Sequence, residues 1–248
     1  MTSVKNQDLE KIISEALDVF YERRLEILSK LDLDKAIKRK NPYLFRAIGC
    51  QDASEIVDQI LSAFMSSSDE GVFGDFFETV VKSVSGGQIS PSEGVDVSIE
   101  TERSYKAIAV KSGPSVFNAQ SKGKQNQDFQ SLQARLRRLQ KHFEAIVGYG
   151  YGRKISEPNN KKIFRELAGQ AFWEELTGDA EFYKKIIIAM KNKPLEHKEK
   201  YNQERDKAKN IFTREFLNKY CYDNGEIDWE KILEVNSGKK QIKKKSKK

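Results

Sequence analysis

The residues best suited to chemistry are an acid and a lysine on one short ribbon, Asp96 and Lys111 in EGVDVSIETERSYKAIAVKSGP. Val95, Val97 and Ile99 alternate with Asp96, Ser98 and Glu100, and Ile108 and Val110 alternate with Ala107, Ala109 and Lys111, so both halves read as strands. One face is then apolar and the other carries the polar groups. Antiparallel pairing about a turn between Arg103 and Ser104 sets Asp96 opposite Lys111 and Ser98 opposite Ala109. A slip of one residue would break the segregation of the faces, which argues for this register. A carboxylate facing an ammonium has two readings, an ordinary solvated cross-strand pair or a catalytic pair. Ser112-Gly113-Pro114 stops the second strand abruptly, and active-site groups often sit where a rigid strand gives way to a loop.

The elements around the ribbon must position that pair. Before it, Asp52 caps a helix through Ile56, Ile60 and Phe64, Ser66 to Ser68 interrupt the pattern, and Gly71 to Val84 resumes it. Phe73, Phe76, Phe77, Val80, Val81 and Val84 give the resumed helix an apolar surface, leaving Asp75 and Glu78 among its polar positions, and Gly86-Gly87 ends it. Glu78 is either a solvated helix residue or a metal ligand. After the ribbon, Val116 to Lys124 reads as a basic loop in which Lys122 and Lys124 are placed to hold a phosphate backbone or simply to face solvent. Phe129, Leu132, Leu136, Leu139 and Phe143 then form a helical core stripe, with Arg135, Arg138 and His142 along one exposed flank. Phe143 to Gly152 reads as a further strand, with Arg153 and Lys154 behind it as candidate nucleic-acid contacts. Its glycines match neither a dinucleotide nor a P-loop fingerprint.

From Glu166 to Met190 the signals are helical, with a break at Gly178-Asp179. Two further amphipathic elements, Ile211 to Tyr222 and Ile227 to Val235, flank the turn Asp223-Asn224-Gly225. At the other end a long amphipathic helix runs from Asn6 to about Leu31, and Pro42 opens a short helical turn.

A chain of 248 residues with formal net charge +7 favours a polyanionic partner, although part of the excess lies in the terminal GKKQIKKKSKK. Residues 1–238 are expected to form one domain and 239–248 a disordered lysine-rich tail. Cys50 and Cys221 are far apart and lack metal-type spacing, which excludes a disulfide framework and a cysteine zinc cluster. MTSVKNQDLEKII lacks the apolar core of a signal peptide, and no run approaches membrane-spanning length, so a cytoplasmic, non-membrane protein is expected.

Gly94-Val95-Asp96-Val97, then Ala109-Val110-Lys111 with Ser112-Gly113-Pro114, preceded by Gly74-x-x-x-Glu78, resembles the PD-(D/E)XK nucleases. NPYLFRAIG, SSSDEGVFGDFFE and VKSGPSVFN, taken in order, resemble segments of a type II restriction endonuclease family. The resemblance implies an α/β restriction-endonuclease-like fold, a mixed central sheet flanked by helices with a helix-rich N-terminal region. It implies a prokaryotic enzyme that hydrolyses double-stranded DNA at a short specific sequence, acts as a homodimer and is paired with a cognate DNA methyltransferase. Asp96 and Glu78 would bind Mg2+, and Lys111 would orient the attacking water. The departure is Ala109, where that pattern has Asp or Glu; Glu78, or else Asp128 on the following helix, would supply the missing acid. Two alternatives stay open: a repair or junction nuclease of the same superfamily, and a noncatalytic DNA-binding protein on a decayed nuclease fold.

Overall fold

A computed structural model describes residues 6–239. Residues 240–248, nearly all of the expected lysine tail, lie outside the described residues. Four helices precede the first strand: α1 (Asn6–Ser29), α2 (Leu33–Lys38), α3 (Pro42–Ala47) and α4 (Ala53–Ser85). Then come β1 (Gln88–Ile89), β2 (Val97–Glu100), β3 (Ser104–Lys111), a 3-10 turn at Pro114–Val116, α5 (Ala119–Arg137), β4 (His142–Tyr149), β5 (Ile155–Ser156) and β6 (Arg165–Ala168). The chain closes with α6 (Gln170–Thr177), α7 (Phe182–Ala189), α8 (Lys193–Tyr220) and α9 (Trp229–Ser237). The strands form one mixed sheet in the order β1-β2-β3-β4-β6-β5. Its centre, β3, β4 and β6, is parallel, and its flanks are antiparallel. This is the α/β restriction-endonuclease-like architecture, with the helix-rich N-terminal region, that the sequence predicts.

The described chain divides into two compact units, residues 6–22 with 70–196, and residues 23–69 with 197–239. The first holds the sheet, which is covered on both faces. On one face Val97, Ile108, Val110 and Ile146 pack with Phe76, Phe77, Val80 and Val81 of α4, Ile13 of α1, Phe172 and Trp173 of α6 and Ile186 of α7. On the other, Ala107, Ala109, Val147, Tyr149 and Ala168 pack with Phe129, Leu132 and Leu136 of α5. Strands buried on both faces are the expected consequence of a parallel centre. The second unit has its own helical core, including Ile37, Val57, Leu61, Phe216 and Ile232.

Local chemistry explains most element ends. Asn41 accepts the Leu44 N–H at 3.3 Å with Pro42 in the first turn, and Asp52 accepts the Glu55 N–H at 2.8 Å. Elsewhere the structure corrects the sequence reading. The helix expected to break at Ser66–Ser68 is continuous, because Ser67 and Ser68 donate back to the carbonyls of Ala63 and Phe64 at 2.9 and 3.0 Å, so the hydroxyls do not compete with the helix. The expected basic loop is largely helix: Asn118 accepts the Ser121 N–H at 2.9 Å and starts α5, which puts Lys122 and Lys124 in its opening turns. At its other end α5 stops at Arg137 and turns through Gln140 at φ +55°, so the stripe ends at Leu136; Leu139 is 64% exposed, and His142 and Phe143 belong to β4. Glu166, placed with the helices by sequence, lies on β6.

Candidate active site

The ribbon is an antiparallel pair as expected, but its register is shifted by two residues. Val97 pairs with Ile108 and Ser98 with Ala107, so continuing the ladder puts Asp96 beside Ala109 rather than Lys111. The cause is the turn. Thr101 and Ser104 close it, with the Thr101 N–H bonded to the Ser104 carbonyl at 2.9 Å and the Thr101 hydroxyl accepting the Arg103 and Ser104 N–H groups at 3.3 and 3.0 Å. A two-residue shift leaves each side chain on its own face, so periodicity alone could not detect it. The expected contrast between an apolar and an open polar face is also replaced, since Ala107 and Ala109 are fully buried under α5.

Asp96 and Lys111 nevertheless meet. β2 begins at Val97, so the Val110 N–H on that edge lacks a strand partner and donates to Asp96 Oδ2 at 2.7 Å. Lys111 Nζ reaches the same oxygen at 3.4 Å and the Val110 carbonyl at 2.8 Å. Both side chains keep about a third of their surface open, 30% for Lys111 and 27% for Asp96. The approach to Asp96 is fixed by α5. Gln125, itself buried, donates to the Gly94 carbonyl at 2.6 Å, and Gly94 sits at φ +72° with Asp128 so close that a Cβ would lie 2.7 Å from its Oδ2.

Glu78 reaches the pair from α4. Phe77 beside it packs so tightly on Gly150, at the end of β4, that a Cβ there would stand 2.7 Å from the ring, and Gly74, one turn before Glu78, faces Ser112. Burial, and then the charge of Asp96, push the Glu78 carboxyl above its ordinary range, against the opposing pull of Lys111. The three groups therefore feel one another electrostatically. Asp128 of α5 lies against Gly94, two residues before Asp96.

The family model for Type II restriction endonuclease EcoO109I matches residues 7–200, which include Glu78, the whole ribbon and the sheet. The chain belongs to the type II restriction endonuclease EcoO109I family. Its members are nucleases that act on DNA, and the fold is consistent with the PD-(D/E)XK superfamily. Comparison with curated proteins gives no match.

Restriction endonucleases generally use a divalent metal. Among the described residues no group of three or more His, Cys, Asp or Glu side chains is placed to hold a metal ion. What remains, two mutually repelling carboxylates, fits a hard cation that keeps several waters and binds through one or two carboxylates together with substrate phosphate.

Of the candidate DNA contacts in this family member, the structure gathers two. Lys122 and Lys154 both reach Glu166 Oε1, at 3.4 and 2.6 Å. Lys124 instead pairs with Glu93 at 3.1 Å on the surface, Arg135 is exposed beside Ser92, and Arg138 caps the C-terminus of α5. Arg153 borders a cavity of about 800 Å³ with Tyr151, Gln170 and Trp173; its lining includes none of Asp96, Lys111 and Glu78. Sequence reasoning missed Glu166, Tyr149 and Lys162 as one cluster, because Tyr149 comes from β4 and the lysines on Glu166 from separate segments that only the folded sheet brings together. No helix among the described residues is long and apolar enough to cross a membrane.

Proposed function

We propose that this chain is a Mg2+-dependent type II site-specific deoxyribonuclease, hydrolysing phosphodiester bonds in double-stranded DNA at a short sequence. The observation that carries this reading is the convergence of Glu78, Asp96 and Lys111 at the end of β3, with the carboxyl of Glu78 raised by burial and by Asp96. Asp96 and Glu78 would hold the ion, and Lys111 stands beside them. When bound, Mg2+ would supply positive charge against the phosphoryl oxygens as negative charge accumulates there.

The side chains supply the rest. Asp96 is aimed by the Val110 N–H, so its second oxygen stays available. Two of the three Lys111 N–H groups go to Asp96 and to the Val110 carbonyl. The third is left to orient the attacking water or to offset phosphate charge. Cutting both strands of a palindromic site takes two such centres, which favours a homodimer, and a nuclease of this kind needs a partner methyltransferase to protect host DNA.

One observation favours an alternative. Ala109 leaves this centre one acid short, as a noncatalytic DNA-binding protein on the same fold would be. Incubating plasmid DNA with the protein and Mg2+, beside Lys111→Ala, separates the readings. Discrete fragments from the wild type alone are expected, and intact plasmid across methylation-free DNA of diverse sequence would overturn the nuclease reading.

A further inference from the structure

Glu166 stands on β6 with only 5% of its side chain exposed, and five donors converge on it. Tyr149 donates its hydroxyl to Oε1 at 2.7 Å, where Lys154 also binds at 2.6 Å and Lys122 at 3.4 Å; Lys162 binds Oε2 at 2.6 Å and Ser156 donates to it at 3.3 Å. A carboxylate offers about four lone-pair sites, so this one is saturated. It cannot serve a metal without losing a lysine.

The three ammonium groups are not saturated. Each brings three donors, and each also rests near an aromatic ring: Lys122 at 5.9 Å from Phe117, Lys154 at 5.9 Å from Tyr149 and Lys162 at 5.0 Å from Phe164. One carboxylate among three ammonium groups leaves an excess of positive charge. Lys122 bears the cost: its close hydrogen-bonding contact with Lys154, and then burial, lower its proton affinity. About a third of the Lys122 and Lys154 side chains stays open to solvent, so the unused donors are accessible from outside.

We propose that Lys122, Lys154 and Lys162, gathered on Glu166, form a seat for one phosphate of the nucleic-acid backbone, with Glu166 as its positioning residue. The inference rests on the nuclease reading and adds a defined contact to it. In the β3-β4-β6 register Glu166 aligns with Val147, and Val147 with Ala109, so the seat lies two strand spacings, roughly 10 Å, from β3, the strand that carries Lys111. A phosphate held there would fix the duplex relative to that centre without reading a base. A single anion shared by Lys122 and Lys154 would also relieve their repulsion.

The test is binding of a random-sequence duplex in EDTA, between about 50 and 200 mM salt, where log K falls by about 0.9 per log unit of salt for each phosphate neutralised. Lys122→Gln and Lys154→Gln should each weaken binding on the order of tenfold and lower the slope by about 0.9, and the double variant should lower it no further. Glu166→Gln adds positive charge to the protein, yet should weaken binding by a similar factor because the lysines spread apart. If Glu166→Gln does not fold, the two partly exposed lysines still decide the matter. A slope loss near 1.8 in the double variant would mean two separate phosphates, and unchanged slopes would mean a cluster that only supports the fold; either result overturns the seat and leaves the nuclease reading standing. No DNA binding by the wild type would overturn both.

Discussion

Replacing Glu78 with Gln should stabilise the metal-free protein while disabling it. Burial, and then repulsion from Asp96, disfavour the charged form of Glu78, with Lys111 returning only part of that cost. The amide keeps the shape and removes the charge. For like charges at a partly open site the gain is on the order of 1 kcal/mol. In a chain of 248 residues that is a rise in Tm of roughly 2–4 °C at pH 7.5 in EDTA. The pH dependence fixes the sign. A carboxyl whose folded pKa is raised costs nothing below its unfolded value of 4.5, where it is protonated in both states, and reaches its full cost above the folded value. The advantage of the variant should therefore be open at pH 7.5 and closed near pH 4.

Mg2+ should reverse the order. A ligand that binds only the folded state stabilises by RT ln(1 + [L]/Kd), about 2.7 kcal/mol at a hundredfold excess over Kd, so the wild type should gain several degrees and Glu78→Gln little. Cleavage by the variant should fall by about 10²-fold or more. Scanning calorimetry at the two pH values, with and without Mg2+, reads all of this. A variant less stable than the wild type in EDTA at pH 7.5 would show that Glu78 is a structural hydrogen-bonding group, and the metal-site reasoning would fail.

Lys111→Ala should fold, since its side chain is partly open, and single-turnover cleavage should drop by about 10²–10³-fold. Gly148→Ala should lower the urea midpoint by the equivalent of about 1–3 kcal/mol, because the new Cβ would stand 2.0 Å from the fully buried Phe172 ring. Glu166→Gln should cost about 2–3 kcal/mol at pH 7, less than a fully buried pair because two of its lysines are partly open. The lysines and the Tyr149 hydroxyl outweigh burial and hold Glu166 below its ordinary range, so its stabilisation is complete above 4.5 and is lost as pH falls toward the folded value; Tm measured down a pH series should show the gap to wild type narrowing only below about 4.5.

The ribbon, the helix bearing Glu78 and most capped helix starts were legible because their signals are local: alternation over several residues, an Asn or Asp before an apolar run, a glycine pair after one. What escaped depended on contacts distant in sequence or on geometry that patterns do not encode. Ser66 to Ser68 looked like a break because propensity does not reveal that a serine will bond to its own preceding turn. The ribbon's register slipped by an even number, the one error that hydrophobic alternation cannot see. Leu139 fitted the helical spacing yet falls in the turn after α5. Glu166 was invisible as a site because its lysines come from α5, from the chain after β4 and from the approach to β6, and only the folded sheet brings them to one carboxylate.

Charge balance separates the roles of these ionic clusters. On the opposite face of the parallel strands from Glu166, Lys106 and Arg165 meet Glu144 and Glu175 at 2.7–3.4 Å, two cations against two anions, with Glu157, 65% exposed and 3.5 Å from Arg165, as a third, solvated acid. Such a set supports the fold and asks for no ligand. Toward the strand ends the balance fails in opposite directions. Glu78 and Asp96 exceed Lys111 by one negative charge, and the three lysines exceed Glu166 by two positive charges. Ligands of open α/β sheets bind outside the carboxyl ends of the strands, and β3, β4 and β6 run parallel with those ends together. On the proposed function, a phosphodiester with its divalent ion would meet both deficits at once, the cation offsetting the acids and the anion the lysines. An unpaired charge held in a protein is costly unless something returns it, so these two imbalances point to the polyanion more strongly than the net charge of the chain does.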